Sequence, residues 1–177
     1  ATHYGFRDLA HWGASSVRVG IGGGSICSTR LKTGHGVPTW QSVRDCQEMR
    51  ATLRHSNHPY ADVKIIADGG IKNSGDIVKA LAAGADMVMV GSLVAGTVET
   101  PGPILKHKDG SDWKTYRGMA SLQAQLNWRG KASSLEGVST RVPITGPVET
   151  VIEDLVTGIR SGLSYSGARS INELQAV

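Results

Sequence analysis

The chain has 177 residues, 40% of them hydrophobic and 19% charged, with a formal net charge of +4. That length and balance give one globular domain with a core, and exclude a disordered chain. Its basic residues are scattered, without the basic stripe and aromatic platforms that nucleic-acid binding uses, so small anionic metabolites are the expected ligands and no nucleic acid is expected.

In chain order, residues 4–13 predict a helix stopped by Gly13, with Phe6, Leu9 and Ala10 on its inner face. Ser16–Ile21 predicts a buried strand, which breaks into the loop Gly22-Gly23-Gly24-Ser25-Ile26-Cys27. Pro38-Thr39 opens a helix whose apolar stripe is Trp40, Val43, Cys46, Met49 and Leu53. Val63–Ala67 predicts a strand of the parallel-sheet kind, apolar almost throughout. It ends in Asp68-Gly69-Gly70, and Ser74 is the expected N-cap of a helix closed by Gly84. A third strand, Met87–Val90, ends in Gly91-Ser92. Residues 95–118 predict a hairpin turning at Asp109-Gly110. About 120–140 is expected to be a polar, mobile lid. Pro147 is the expected first position of a last helix with Val151, Ile152, Leu155, Val156 and Ile159 inward.

This is three clear strands and four helices, with each strand ending in a glycine-bearing loop. Alternating βα units predict an α/β fold with ligands at the carboxyl ends of a parallel sheet. An eight-stranded βα barrel takes about 250 residues, so the chain amounts to about half of one. The remainder is expected to lie in another chain or to have been removed.

The loop 20–38 draws the chemistry. Consecutive glycines let main-chain N–H groups wrap an anion, and Cys27 sits in the turn where those dipoles favour a thiolate. A nucleophile beside an anion cradle predicts covalent chemistry on a phosphorylated small molecule. Cys46, on a helical stripe, is expected to be a packed core thiol. Two cysteines make no disulfide framework, and no zinc-ligand spacing occurs. With no signal-peptide pattern and no apolar run of transmembrane length, a cytoplasmic protein without a membrane partner is expected. Trp12, Trp40 and Trp113 are expected to pack, and the histidines to lie on the surface; His35, near the cysteine loop, is the one to watch.

Several ordered motifs carry a resemblance. Gly22-Gly23-Gly24-Ser25-Ile26-Cys27-Ser28-Thr29-Arg30, Ala67-Asp68-Gly69-Gly70-Ile71, Val90-Gly91-Ser92 and Tyr116-Arg117-Gly118-Met119-Ala120-Ser121 resemble the IMP dehydrogenase and GMP reductase family. Arg141-Val142-Pro143, Gly146-Pro147-Val148 and Gly158-Ile159-Arg160 extend it over nearly the whole chain. The resemblance implies a (β/α)8 TIM barrel, of which residues 1–177 are a single partial catalytic domain with the last three to four βα units. It implies a purine ribonucleoside monophosphate as substrate, NADP or NAD as cofactor, and a homo-oligomer, usually a tetramer.

Position by position, the resemblance implies that Cys27 is the nucleophile at purine C2, with Thr29 relaying a proton. Ser25, Gly70, Gly91, Ser92 and Tyr116 are expected at the phosphate, and Asp68 at the ribose hydroxyls. Met119, Ala120, Glu136 and Gly137 are expected at the base edge. Carbonyls of Gly22, Gly24 and Cys27 are expected to hold a monovalent cation such as potassium.

Between the two activities, the lid favours the reductase. Dehydrogenases carry a longer flap with an Arg-Tyr pair that activates water, and residues 122–135 contain no such step. Against this, Leu122 and Gln123 stand where the resemblance places a glutamate that works with the threonine. Tyr116-Arg117-Gly118-Met119 and Arg141-Val142-Pro143 read more like the dehydrogenase, and Arg129 is a candidate for its missing arginine. A third reading is an inactive, nucleotide-binding half-barrel.

Overall fold

The computed structural model describes residues 2–177; Ala1, the first residue of the expected 1–177 unit, lies outside them. Three strands form a parallel sheet in the order β1 (Ser16–Val19), β2 (Lys64–Asp68), β3 (Met87–Met89), with Val17 opposite Ile65 and Ala67 opposite Val88. Parallel neighbours need a crossover. Helix α3 (Thr39–His55) supplies the first and α4 (Ser74–Ala82) the second. With α1 (His3–His11), α7 (Val148–Tyr165) and α8 (Ile171–Leu174) they cover one face of the sheet.

The core lies in that layer. Val17, Val19, Ile65 and Ala67 meet Phe6 of α1, Val43, Cys46, Met49 and Leu53 of α3, Ile77 and Leu81 of α4, and Leu155 of α7. The expectation of strands apolar on both sides holds for one face only. Arg18, Lys64, Met87 and Met89 point to the other face and are exposed, because no layer packs there among the described residues. Strand alternation thus carries one buried and one open surface.

Arg50 is the charged exception within the core. Its guanidinium donates to the carbonyls of Gly84 at 2.7 Å and Val63 at 3.4 Å and pairs with Asp86, which also accepts the Ile65 N–H at 2.8 Å.

Several local expectations change. Leu9 and Trp40 are exposed, because their positions on α1 and α3 turn away from the sheet, and Trp12, just past the end of α1, is 80% exposed. Asn73, not Ser74, caps α4, accepting the Asp76 N–H at 2.9 Å. Pro147 occupies the cap position of α7, one residue before the helix. On α7, Ile152 and Val156 face solvent, leaving Leu155 buried with Val151 and Ile159 at its flanks.

The hairpin forms from β4 (Leu105–Lys106) and β5 (Asp112–Arg117), with Gly110 N–H bonded to the His107 carbonyl at 3.0 Å in its turn. The segment expected to be a loop-like lid carries regular structure. Helix α6 (Leu122–Arg129) starts at Ser121, whose hydroxyl accepts the Ala124 N–H, and stops at Gly130 with φ +68°. Strand β6 (Ser139–Pro143) then pairs antiparallel with β5, making a second three-stranded sheet. Short helices α2 (Thr29–Thr33) and α5 (Ser92–Ala95) follow the cysteine loop and Gly91. The described residues therefore hold six strands and eight helices.

Candidate active site

The site is built where two loops meet at the carboxyl ends of β1 and β2. Gly20 has φ +130°, and a β-carbon there would lie 1.8 Å from the Asp68 carbonyl oxygen. Gly69 has φ +94°, and a β-carbon there would lie 2.6 Å from the Gly23 carbonyl carbon. The loops touch main chain to main chain, an approach that glycine alone permits.

A third segment closes over the cysteine. Residues 136–138 run antiparallel to 26–28: Ser28 N–H donates to the Glu136 carbonyl at 2.8 Å, and Val138 N–H donates to the Ile26 carbonyl at 3.0 Å. This pairing brings together side chains distant in sequence. The Cys27 thiol donates to the Thr29 hydroxyl at 3.2 Å, and Thr29 donates to Glu136 Oε2 at 2.7 Å. Ser134 donates to the other carboxylate oxygen, Oε1, at 2.9 Å. The hydrogen bonds from Thr29, and then Ser134, hold the Glu136 carboxyl below the usual carboxylate range. Thiol, hydroxyl and carboxylate form a continuous route for a proton.

A cleft of about 320 Å³ opens beside this relay. Gly22, Gly24, Cys27, Asp68, Tyr116, Met119, Ala120, Glu136 and Gly137 line it; Thr29 stands behind Cys27. Ser25, Gly70, Gly91 and Ser92 do not line it. Gly70 instead faces a second cavity with Gly23 and Gly69, between α3 and α4. Gly91 backs onto Tyr116, since a β-carbon at Gly91 would lie 2.8 Å from the tyrosine Oη. Ser92 is the first residue of α5. Exposed His35 turns toward the Thr33 carbonyl, 2.7 Å from its Nδ1, and stays outside the cleft.

One feature departs from expectation. Thr29 does have a carboxylate partner, although Leu122 and Gln123 stand where one was sought. Glu136 provides it from 107 residues away. Of the Gly22, Gly24 and Cys27 carbonyls expected at a monovalent cation, that of Gly24 accepts the Cys27 N–H at 3.1 Å, which leaves it a second lone pair. Among the described residues no group of three or more His, Cys, Asp and Glu side chains could hold a metal ion.

Comparison with known proteins now bears on this geometry. The model of the IMP dehydrogenase / GMP reductase domain matches residues 1–177. The chain belongs to this family. Relatives of both names resemble it equally. An inosine-5'-monophosphate dehydrogenase of Nitrosopumilus maritimus and a GMP reductase of Leishmania major are each 44% identical over 99% of this chain. The match covers 37% and 36% of those proteins, so the chain spans little more than a third of the curated relatives' length. A crystal structure of a cysteine-to-alanine variant of GMP reductase from Trypanosoma brucei, in complex with guanosine 5'-monophosphate, superposes with a TM-score of 0.88. It shares 44% identity over 99% of this chain and 35% of that one.

In this IMP dehydrogenase / GMP reductase domain, sequence reasoning missed Arg18. It lies on the open face of β1, and its guanidinium donates to Asp68 Oδ2 at 3.0 Å. Val17 and Val19 alternating with Ser16 and Arg18 was the available signal. Ile26, Arg117 and Gly118 also line the cleft. A neighbouring pocket of about 350 Å³ shares Met119, Ala120 and Glu136 with it and reaches Trp128, on whose ring the Arg129 guanidinium stacks at 4.7 Å. Among the described residues no helix is long and apolar enough to cross a membrane.

Proposed function

We propose that this chain is the cysteine-bearing part of a TIM-barrel purine nucleotide oxidoreductase, a GMP reductase. It would supply the last three to four βα units of the barrel, and the whole enzyme would assemble as a homo-oligomer. The observation that carries the reductase reading is the contact between Thr29 and Glu136. Expelling ammonia from a purine amine needs a proton at the leaving nitrogen, and a hydroxyl backed by a carboxylate can deliver it.

In this reading Cys27 Sγ bonds to C2 of GMP, and its proton passes through Thr29 to Glu136. The same path in reverse protonates the departing amine, which leaves as ammonia. A nicotinamide cofactor, NADPH in this direction, supplies the hydride at C2. The carbon–sulfur bond then breaks to give IMP and regenerate the thiolate. Asp68 would receive the ribose hydroxyls, and Met119, Ala120 and Gly137 the base edge. Ser25, Gly70, Gly91, Ser92 and Tyr116 would surround the phosphate. The cofactor ring would enter beside Trp128 and Arg129, where an exposed aromatic face and a cation suit a nucleotide.

The dehydrogenase, which turns IMP, NAD and water into XMP and NADH, is the second reading. It is favoured by the equal identity to relatives of that name. Incubation with GMP and NADPH, and separately with IMP and NAD, distinguishes the two. Loss of NADPH absorbance with GMP is expected; NADH formation with IMP overturns the reductase. Silence in both, with nucleotide still bound, favours a binding fragment.

A further inference from the structure

One buried cation has no part in the chemistry above. Lys114 of β5 is 3% exposed and forms no ion pair among the described residues. Its Nζ donates instead to the Val98 carbonyl at 2.8 Å and to the Thr100 carbonyl. A charge taken out of water has to be paired or hydrogen-bonded, and inward-facing carbonyls need a donor. Lysine and turn therefore hold each other in place.

The segment gripped in this way begins at Gly91 and Ser92. From there the chain runs through α5 into the turn at 97–100. The hydroxyls of Thr97 and Thr100 both donate to the Val94 carbonyl, at 3.0 and 2.7 Å, and fasten the end of α5 to that turn. Lys114 and Tyr116 stand two residues apart on β5 and so share a face. Tyr116 backs onto Gly91, where a β-carbon would lie 2.8 Å from its Oη, while Lys114 takes Val98 and Thr100. One strand face thus meets both ends of the segment. Main-chain bonds on another side, from Val98 N–H to the Gly146 carbonyl at 3.0 Å and from Thr145 N–H to the Gly96 carbonyl at 2.8 Å, do not involve the lysine. Losing its ammonium would loosen the segment without releasing it.

We propose that Lys114 is a positioning residue for the phosphate: by anchoring the turn at 98–100 to β5, it sets Gly91 and Ser92 against Tyr116. The inference rests on the proposed function in placing the phosphate among those three residues. Lys114 itself touches no ligand, because its ammonium is engaged by the two carbonyls. The strand that carries it is paired along its length with β6, so Met119 and Ala120 beyond its end, and Asp68 on β2, keep their places when the lysine is changed. The phosphate senses Lys114; the base and the ribose do not.

The test uses K114M on this chain, which keeps the length of the side chain and removes the donor. Equilibrium binding of GMP is compared with that of guanosine, which has no phosphate. GMP is expected to bind about tenfold more weakly, the usual contribution of a hydrogen bond to a charged group, with guanosine unchanged. Equal weakening of both ligands, as a purely structural role would give, or of neither, overturns the proposal. Amide hydrogen exchange on the nucleotide-free chain reads the anchoring without any ligand. Peptides covering 91–100 should exchange faster in K114M, and those covering α4 and α6 should not. Unchanged exchange at 91–100 also overturns the proposal. If neither GMP nor guanosine binds the unmodified chain, it is the proposed function that fails, and exchange alone decides whether Lys114 holds the turn. If K114M does not fold, which loss of its melting transition reports, K114Q replaces it. Its shorter amide cannot serve both carbonyls as the ammonium does, and the same loss confined to GMP is required.

Discussion

The hydroxyl of Thr29 lies 2.7 Å from Glu136 Oε2 and 3.2 Å from the Cys27 sulfur, bridging a carboxylate and a thiol that belong to different segments. Replacing Glu136 by glutamine keeps the shape and removes the proton acceptor. Turnover of GMP is expected to fall by about 10²–10⁴-fold, the usual contribution of positioned acid–base catalysis, with nucleotide affinity largely kept. Steady-state kinetics against equilibrium binding checks both halves.

The same carboxylate makes a pH prediction. Its folded pKa is lowered from 4.5 by Thr29 and Ser134, so the unfolded chain binds the proton more readily than the folded one. The stabilisation is complete above the unfolded value and disappears as pH falls through the lowered folded value. Urea unfolding at a series of acid pH values should therefore show a smaller loss of stability in E136Q than in the unmodified chain.

Cys46 should behave as the opposite of Cys27. It is fully enclosed, and burial pushes its thiol from 9.0 up to about 11. Iodoacetamide at pH 8 should label Cys27 in the folded protein and leave Cys46 untouched until denaturant is added. Intact-mass counting of adducts decides it, and two adducts in the native state would contradict the enclosed position.

Gly69→Ala should damage fold and site together. The position has φ +94°, and a β-carbon would meet Gly23 main chain at 2.6–2.8 Å. Backbone strain of this kind costs about 1–3 kcal/mol, and relieving it separates the two loops. A lowered melting temperature with weakened nucleotide binding is the expected pair of results.

Arg50→Ala removes one partner of a buried pair. Asp86 and the carbonyls of Gly84 and Val63 lose their donor, and a loss of about 3–5 kcal/mol is expected for breaking such a pair. Chemical denaturation measures it, and a loss below 1 kcal/mol would show that water replaces the guanidinium.

What could be read from the sequence follows physical range. Val17, Val19, Ile65 and Ala67 declare their strands through local apolar content, and Cys46 shows its burial through helical spacing, because each pattern reflects one face of one element. The hairpin was legible in the turn chemistry of Asp109-Gly110. Helix α6 and strand β6 were not, since Gln125 buries an amide and β6 is mostly exposed, which leaves little apolar periodicity. At the site, the glycines mark the loop but not the company it keeps. Glu136 reaches Thr29 only because 136–138 pair with 26–28, a long-range contact that no local spacing encodes. Arg18 was hidden for the same reason, its partner Asp68 being on the next strand.

If Asp68 receives the ribose as proposed, that ion pair has a consequence for selectivity. Because Asp68 already holds a guanidinium, a sugar arriving there exchanges one polar partner for another instead of filling an empty acceptor. A vicinal diol offers two donors to one carboxylate and can win such an exchange, whereas a sugar with a single hydroxyl brings half as much. Discrimination between ribose and 2'-deoxyribose would then come from competition within the wall of the cleft, with no bulky residue needed to turn the wrong sugar away.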